Sequence, residues 1–491
     1  AQDNYKTIKA KKINATTVEV SFSNDQKLLV DFYGDNIFRL FQDNSGEGIR
    51  APQAEPEAHI LVTNPRKKLA NITVSDTENE LHISTEKIKI VFDHSTSLFS
   101  VINRQTNSVV LQEAALPVFE EDQVTLSFKE YRNEYFYGGG VQNGRFSHKG
   151  KSIAIENLST WTDGGVASPS PYYWSSKGYG FMWYTFKKGK YDFGSEIMGS
   201  VKLRHNTDYL DVFFMINESP AALLDDFYQL TGNPILLPKF GFYEGHLNAY
   251  NRDFWKEDSA GILFEDGKQY KESQRDTAGI KESLNGELNN YQFSARAVID
   301  RYKKADMPFG WILPNDGYGA GYGQTETLDG NIQNLKEFGD YAREKGVEIG
   351  LWTQSDLYPI DSVSALLQRD IVKEVHDAGV RVLKTDVAWV GPGYSFGLNG
   401  VGYASGIMAK HGENARSFII SIDGWAGTQR YASIWSGDQV GGFWEYIRFH
   451  IPTYIGAGLS GQPNITSDMD GIFGGKNSIV NIRDFQWKTF T

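Results

Sequence analysis

A lysine and an aspartate two residues apart are the side chains in this sequence best placed to do chemistry. Lys384 and Asp386 end the apolar stretch 380–383, and a loop-like segment, 387–393, follows them. If the stretch is a β-strand, its side chains alternate between two faces, so Lys384 and Asp386 point the same way. The sequence therefore predicts an ammonium group beside a carboxylate where a strand ends. For either residue alone, a capping or ion-pair role is the ordinary alternative.

A second carboxylate, Asp438, follows another predicted strand and completes a pair suited to cleaving sugars. Retaining glycosidases use one carboxylate as nucleophile and one carboxylic acid as proton donor, about 5–5.5 Å apart, against about 6.5–9.5 Å in inverting enzymes. Lys384 favours the ionised form of Asp386, which makes Asp386 the predicted nucleophile. The apolar Trp435 and the charge of Asp386 favour the acid form of Asp438, which makes it the predicted acid/base.

Further polar and aromatic residues follow other predicted strands and could contact a sugar. Asp316, Lys384 and Asp468 are candidate hydroxyl-binding groups at strand ends. Sugar rings stack on aromatic faces, so three tryptophans are candidate walls of the site, with ordinary core packing as the alternative for each: Trp352, Trp389 and Trp425.

The elements that must position these residues fall into two regions. Up to about residue 225, short alternating patterns such as Val18, Val20 and Phe22 predict an antiparallel β-sandwich. From 226 to 491, strands that begin apolar and end polar alternate with helices, after a short helix predicted over 221–230. Functional groups at many strand ends are typical of a (β/α)8 TIM barrel, whereas an open doubly wound sheet gathers them at one switch point.

The predicted barrel is incomplete and carries an insertion. Counting from residues 240–243, we expect seven strands, so that the last strand of the barrel is missing from this chain. Residues 250–290 are rich in Lys, Glu, Asp and Asn and interrupt the first strand–helix unit. Their position predicts either a specificity loop over the barrel mouth or a solvated excursion.

Composition excludes several other classes of protein. The net charge of −12 disfavours nucleic acid and anionic membranes as partners, and no apolar run is long enough to span a bilayer. The chain has no cysteine, and its nine histidines show no zinc-binding spacing, so we predict neither a metal nor a cofactor. The expected partner is a small carbohydrate or glycoconjugate. The start at Ala1 fits a cleaved signal peptide, which predicts a secreted or periplasmic bacterial protein.

Several motifs resemble glycoside hydrolase family 31. Residues 429–431 (QRY) with 435–438 (WSGD) resemble the acid/base segment of that family, residues 467–471 resemble its next substrate-binding strand, and 177–181 resemble its N-terminal sandwich. The resemblance implies a retaining, exo-acting α-glycosidase with a sandwich, a barrel and C-terminal β-domains. Arg430, within the QRY motif, joins the candidate substrate-binding residues.

Two departures from the family pattern indicate galactose. The glucosidases of the family carry Trp-x-Asp-Met at the nucleophile, where this chain has Lys384-Thr385-Asp386-Val387, and an arginine that contacts glucose aligns with Ile422. The Lys-x-Asp pattern resembles α-galactosidases of families 27 and 36, in which the lysine is a sugar ligand, and residues 315–318 resemble their Asp-Asp-Gly-Trp segment. A charged donor and acceptor aimed at the axial O4 of galactose could discriminate strongly against glucose.

The sequence therefore predicts a retaining α-galactosidase. An α-N-acetylgalactosaminidase, whose substrate shares the axial O4, and other α-glycosidases or transglycosylases of the family are the alternatives. From a different class, a non-catalytic sugar-binding module on a decayed barrel is also open, although both acidic groups are retained.

Overall fold

The structure is a computed structural model. It describes residues 6–248, 254–273, 284, 291–315, 317–318, 327, 329–354, 370–386, 393–472 and 474–491. Two predicted site residues, Asp316 and Trp389, lie outside these ranges, as do residues 249–253, 274–283 and 285–290 of the region around the predicted insertion.

The N-terminal region is an antiparallel sandwich of two sheets, as predicted. Eight strands form one sheet in the order β1-β2-β3-β4-β17-β14-β13-β11, and nine form the other in the order β12-β15-β16-β10-β9-β8-β7-β6-β5. The strands are β1 (Thr7–Lys12), β2 (Thr17–Phe22), β3 (Lys27–Gly34), β4 (Ile37–Gln42), β5 (Thr73–Asp76), β6 (Glu80–Ser84), β7 (Ile88–Asp93), β8 (Phe99–Asn103), β9 (Ser108–Phe119), β10 (Val124–Lys129), β11 (Phe136–Gln142), β12 (Ser152–Ile155), β13 (Val166–Ser175), β14 (Tyr179–Trp183), β15 (Gly189–Phe193), β16 (Ser200–His205) and β17 (Leu210–Ile216).

Strand β13 shows why the first sheet has no solvent-exposed face at its centre. All ten of its residues are buried. Tyr173 packs into the sandwich core against Phe193, with ring centroids 5.0 Å apart, whereas its neighbour Tyr172 stacks on Phe227 of the following helix at 4.1 Å. Because successive side chains point to opposite faces, the strand contributes to two apolar contacts at once.

Helix α1 (Pro220–Thr231) confirms the helix predicted after the sandwich. Ser219 caps it by accepting a 3.2 Å hydrogen bond from the backbone N–H of Ala222, and Pro220 occupies the first turn, where its missing N–H costs nothing. The helix runs across the predicted boundary at residue 225 and packs against the sandwich through Phe227.

The C-terminal region is a curled sheet of seven parallel strands in chain order, flanked by helices, as predicted for an incomplete barrel. Its strands are β18 (Gly245–Asn248), β21 (Trp311–Pro314), β22 (Glu348–Gln354), β23 (Val382–Asp386), β24 (Ile419–Ser421), β25 (Ser433–Trp435) and β26 (Ile465–Thr466). Its helices are α2 (Ala295–Lys304), α3 (Asp329–Glu344), α4 (Ile371–Asp377), α5 (Tyr394–His411), α6 (Trp444–Leu459) and α7 (Ser478–Lys488). In the described part of the chain, no helix is long and apolar enough to cross a membrane.

The predicted first barrel strand at residues 240–243 is wrong in position. These residues belong to the 3-10 helix Lys239–Phe242, which follows Pro238, and the strand starts only at Gly245. Gly245 pairs with Trp311, whose indole ring fills the space that a side chain at position 245 would need, since a Cβ there would lie 1.9 Å from the ring. The pairing of β18 with β21 thus begins at Gly245, where the absence of a side chain leaves room for the Trp311 ring.

Glycines end helices α3 and α4. Gly346 and Gly379 follow these helices with φ of +73° and +76°, a conformation that favours glycine. Ile332, Leu335 and Phe338, three residues apart on α3, are all buried.

Part of the predicted insertion folds as an antiparallel hairpin, β19 (Phe254–Leu263) with β20 (Gln269–Ser273). Phe264 at the turn packs edge-on against Phe293, with centroids 5.1 Å apart, just before α2. The hairpin is thereby fixed to the barrel wall at its turn.

The sandwich and the barrel meet at the end of β24. The hydroxyl of Ser168 on β13 donates to the carbonyl of Ile422 at 2.8 Å and accepts from the backbone N–H of Gly424 at 3.0 Å. Helix α6 is held to the sandwich as well, because Thr453 accepts from the backbone N–H of Gly144 at 2.8 Å. The loops at the carboxyl ends of the barrel strands are therefore positioned partly by the sandwich.

Candidate active site

The predicted site residues Lys384 and Asp386 lie on the inner face of the barrel sheet. Val382, two residues earlier on β23, belongs to the apolar cluster inside the barrel together with Leu313 and Trp435, whereas Leu383 packs outward in the main core. Side chains alternate along a strand, so Lys384 and Asp386 lie above this inner cluster, at the carboxyl end of β23. This is the orientation that the sequence predicts.

Trp352 holds the carboxylate of Asp386. It lies on the neighbouring strand β22 in register with Lys384, and its indole N–H donates to Oδ2 of Asp386 at 2.9 Å. The Trp352 side chain is 8% exposed. The residue predicted as a wall for the sugar is therefore, in the structure, a hydrogen-bond donor that orients the nucleophile candidate.

Lys384 is buried, and its ammonium group lies 4.5 Å from the ring centroid of Trp435 on β25. A desolvated ammonium over an indole face is a favourable cation–π contact. The contact brings the cation from β23 to the strand that precedes Asp438.

Asp468, two residues beyond β26, connects the charged groups. Burial raises the pKa of its carboxyl; the positive charge of Lys384 lowers it, and the negative charges of Asp438 and Asp386 raise it. These charges act on Asp468 because they are close to it, so the four predicted residues belong to one cluster at the carboxyl ends of β23, β25 and β26. Among the described residues, no donor reaches the buried Oδ2 of Asp468.

A buried ion pair on α7 supports the Asp468 segment from behind. Lys488 contacts Asp484 at 2.7 Å, and the side chains are 3% and 0% exposed. The same ammonium group donates to the backbone carbonyl of Asp468 at 2.7 Å, and Asp484 accepts from the backbone N–H of Asp470 at 2.7 Å. The pair thus fixes the main chain on both sides of Met469.

Asp438 lies in a tight turn after β25. Its side chain is exposed, while Ser436 and Gln439 on either side are buried. The loop beyond the turn is clamped by Asp470, whose carboxylate accepts from the backbone N–H groups of Gly442 at 2.7 Å and Gly475 at 3.0 Å. The acid/base candidate is therefore an exposed side chain on a loop that hydrogen bonds hold in place.

Two predicted substrate-binding residues lie elsewhere. Trp425 is 1% exposed, stacks on Tyr394 with centroids 4.0 Å apart and donates from its indole N–H to the carbonyl of Thr185 at 3.0 Å. Arg430 donates to the backbone carbonyls of Ile60 at 2.7 Å and Thr231 at 2.8 Å. In the structure Trp425 packs in the core, and Arg430 joins the barrel to a sandwich loop and to the end of α1.

Sequence reasoning missed Trp161, which lies in the sandwich loop between β12 and β13. Its indole packs directly on Gly437, because a Cβ at that glycine would lie 2.4 Å from the Trp161 ring. Its backbone carbonyl accepts from the Gln439 amide at 2.9 Å. A lone tryptophan in a polar, glycine-containing loop was a usable signal, but nothing in the sequence relates it to Asp438.

No group of three or more His, Asp or Glu is placed to hold a metal ion in the described part of the chain.

Comparison with known families assigns both regions. Residues 27–192 match the glycosyl hydrolase 31 N-terminal galactose mutarotase-like domain, and residues 394–491 match the glycosyl hydrolases family 31 TIM-barrel domain. The chain belongs to glycoside hydrolase family 31. The second match includes Asp438 and Asp468, whereas strand β23, with Lys384 and Asp386, lies between the two matched stretches.

The chain is similar to two curated relatives over most of its own length. It is 22% identical to an α-xylosidase of Saccharolobus solfataricus, covering 94% of this chain and 65% of the relative. It is 20% identical to α-glucosidase 2 of Bacillus thermoamyloliquefaciens, covering 94% and 62%. The chain thus spans less than two thirds of the length of these relatives.

Solved structures share the fold. A family 31 dextranase of Flavobacterium johnsoniae, complexed with glucose, superposes with a TM-score of 0.78 at 17% identity, over 100% of this chain and 64% of the dextranase. A family 31 α-xylosidase from a soil metagenome, complexed with xylose, superposes with a TM-score of 0.74 at 16% identity, over 98% and 75%.

Proposed function

We propose that this family 31 chain carries the active site of a retaining, exo-acting α-galactosidase. The observation that carries the proposal is the charge cluster: Asp468 is influenced at once by Lys384, Asp438 and Asp386, which come from neighbouring strand ends. A cation and several carboxylates at the mouth of a barrel suit a substrate with many hydroxyl groups and a reaction that needs both a nucleophile and an acid.

In the first step, Asp386 attacks the anomeric carbon of a terminal α-galactosyl residue. The bond from that carbon to the glycosidic oxygen breaks, and Asp438 gives its proton to the departing oxygen. The product is a β-galactosyl ester of Asp386. Trp352 supports the step by donating to Oδ2, which orients the carboxylate of Asp386.

In the second step, water replaces the aglycone. Asp438, now ionised, takes a proton from the water, the water oxygen bonds to the anomeric carbon, and the ester bond to Asp386 breaks. Two inversions give α-galactose, so the overall configuration is retained.

The preference for galactose rests on where the positive charge lies. At the position where the family's glucosidases carry an arginine, Ile422 is 2% exposed and belongs to the inner apolar cluster with Trp435. The cation is instead Lys384, on the nucleophile strand, and its positive charge lowers the pKa of Asp468. Among the described residues, Oδ2 of Asp468 accepts no hydrogen bond. A donor from Lys384 and an acceptor from Asp468 would together suit the axial O4 of galactose, and a substrate lacking it would leave both groups unpaired.

The second candidate is an α-xylosidase or α-glucosidase, since those are the activities named for two relatives of this chain. An α-N-acetylgalactosaminidase would share the contact to O4 but needs room for the N-acetyl group. The four activities differ at different positions of the sugar ring, so one set of substrates separates them.

The test is turnover of the nitrophenyl α-glycosides of galactose, N-acetylgalactosamine, glucose and xylose by the intact protein. We expect the galactoside to have the highest kcat/KM. Asp386→Ala should abolish turnover, and added azide should restore it with β-galactosyl azide as the product. An azide product of α configuration would refute Asp386 as the nucleophile, and preference for another glycoside would refute the assigned substrate.

A further inference from the structure

Trp161 lies in a sandwich loop that takes no part in the proposed reaction steps. The loop, residues 156–165 between β12 and β13, reaches the barrel at the turn that bears Asp438. Gly437 has φ +96° and no Cβ, and the Trp161 ring occupies the space that a Cβ would need. The residue immediately before the acid/base candidate is therefore in contact with a side chain from the other domain.

The loop is held in place from the sandwich side by one asparagine. Asn143 is fully buried; its side chain donates to the carbonyl of Thr160 at 3.2 Å, its carbonyl accepts from Gly164 at 2.9 Å, and its N–H donates to Gly165 at 2.9 Å. These bonds close the loop on either side of Trp161. The ring is thus presented to the barrel by a fixed support.

The loop is also tied to the barrel side. The hydroxyl of Tyr394, at the start of α5, accepts from the backbone N–H of Asn157 at 2.9 Å. The Gln439 amide donates to the carbonyls of Trp161 at 2.9 Å and Ser436 at 2.7 Å, so it spans from the loop to the turn around Asp438.

A buried histidine completes the support under the turn. His450 on α6 donates from Nδ1 to the carbonyl of Tyr446 at 2.8 Å, and burial lowers its pKa to about 3, so the ring is neutral at ordinary pH. Its Nε2 is then an acceptor for the hydroxyl of Ser436 at 2.9 Å. Ser436 and Gln439, which flank the acid turn, are both anchored without using the carboxylate of Asp438.

We propose that Trp161 is a positioning residue for Asp438, by which the sandwich sets the proton donor of the barrel. This inference rests on the proposed glycosidase function. The Trp161 ring blocks movement of Gly437, and the hydrogen bond from Gln439 to its carbonyl fixes the distance between loop and turn. Loss of the ring leaves the nucleophile and its partner Trp352 on β22 and β23 unchanged but lets the acid turn move.

Leaving-group dependence tests this role, because only a poor leaving group needs a proton. Trp161→Ala and Trp161→Leu are compared with the unaltered protein on methyl α-galactoside and on α-galactosyl fluoride. We expect kcat/KM for the methyl glycoside to fall roughly 10- to 100-fold, a part of the ~10²–10⁴ that general acid catalysis supplies. Turnover of the fluoride should change less than about threefold, because fluoride departs without protonation. Trp161→Phe, which keeps a ring against Gly437, should recover most of the loss.

A matched control is Trp174→Phe, which removes another bond between sandwich and barrel, the 2.9 Å hydrogen bond from the Trp174 indole to the carbonyl of Leu459. Trp174→Phe should lower kcat/KM for the methyl galactoside and for the fluoride equally, or leave both unchanged. If kcat/KM of the Trp161 variants falls equally for both substrates, or for neither, the positioning role is refuted. If the unaltered protein cleaves neither substrate, the proposed function is refuted instead. Thermal unfolding of each variant identifies any that has not folded.

Discussion

The indole N–H of Trp352 donates a 2.9 Å hydrogen bond to Oδ2 of Asp386 across two adjacent parallel strands. Trp352 pairs in register with Lys384, so its side chain reaches forward by two residues along β23 to meet the carboxylate. One oxygen of Asp386 is thereby held by the protein.

Removing this donor should slow the reaction without unfolding the protein. A hydrogen bond to a charged group contributes about 1.5–3 kcal/mol, so Trp352→Phe should lower kcat by roughly 10- to 100-fold. KM for the galactoside should change by less than about threefold, because the donor acts on the nucleophile in the reaction step. Steady-state kinetics on the nitrophenyl galactoside provides both values.

Trp311→Phe is the matched control for that variant. It lies on β21 of the same barrel, and among the described residues its indole nitrogen is buried with no hydrogen-bond partner. Its loss should leave kcat close to that of the unaltered protein. Equal losses in both variants would mean that the indole packing, and not the bond to Asp386, is what matters.

Replacing Lys384 should change both activity and its pH dependence. Its charge lowers the pKa of Asp468, which burial raises, so Lys384→Met should raise that pKa further. If the ionised form of Asp468 binds the sugar, the acidic limb of the kcat/KM profile should therefore move to higher pH. Activity should also fall by at least about 100-fold, because two buried partners of O4 are affected. A pH–rate profile tests the shift.

Lys384→Arg keeps the charge and is the comparison for this prediction. The acidic limb should stay near its original position even if the rate falls, since the larger guanidinium does not fit the contact with Trp435 in the same way. A limb that moves equally in the Met and Arg variants would contradict an electrostatic role.

Breaking the ion pair behind Asp468 should destabilise the barrel. Lys488→Met leaves Asp484 buried without its partner, which typically costs about 3–5 kcal/mol in the free energy of unfolding. Denaturant unfolding measures this cost. The exposed pair of Lys336 and Asp340, at 2.6 Å on α3, supplies the control, because Lys336→Met removes a solvated contact and should have little effect. Similar shifts in both variants would mean that burial of the Lys488 pair is unimportant.

The buried Glu113 should make the sandwich less stable as pH rises. Burial raises the pKa of Glu113 from 4.5 to about 8. Between these values the folded state keeps a proton that the unfolded state has lost, so the free energy of unfolding should fall with a slope of up to about 1.4 kcal/mol per pH unit. Glu113→Gln keeps an acceptor for the backbone N–H of Phe99, now 3.1 Å from the carboxylate, and should remove this dependence.

Thermal unfolding of the Glu113→Gln variant from pH 5 to pH 8 checks the slope. The exposed Glu120 on the connection after β9 is the control, and Glu120→Gln should leave the pH dependence as it is. A Glu113→Gln protein that still loses stability over this range would show that another group is responsible.

The sequence was most informative where local patterns decide the structure. Alternation along β23 put Lys384 and Asp386 on one face, and alternation such as that of Val18, Val20 and Phe22 predicted the antiparallel sandwich. The predicted position of the first barrel strand was wrong near residue 240, where a 3-10 helix follows Pro238 and the Trp311 ring packs on Gly245. That contact joins residues far apart in sequence.

The placement of the candidate site residues depends on tertiary contacts as well. Trp425 and Trp352 carry the same side chain, but one packs on Tyr394 and the other binds Asp386, and only tertiary contacts distinguish them. Arg430 belongs to a recognisable motif, yet its partners are backbone carbonyls of Ile60 and Thr231, which no pattern of residue types reveals. Trp161 was missed because its partner Gly437 lies in the other domain.

The hydroxyl of Ser168 acts as donor to one backbone group and acceptor to another on the segment that leaves β24. A single small side chain thus substitutes for a neighbouring strand at this point. If the barrel were joined to a different sandwich, a hydroxyl group would be needed at the same position. An alanine there would leave the carbonyl of Ile422 and the N–H of Gly424 without these hydrogen bonds. The Ser168 hydroxyl is therefore one of the contacts that an exchange of the two halves would have to reproduce.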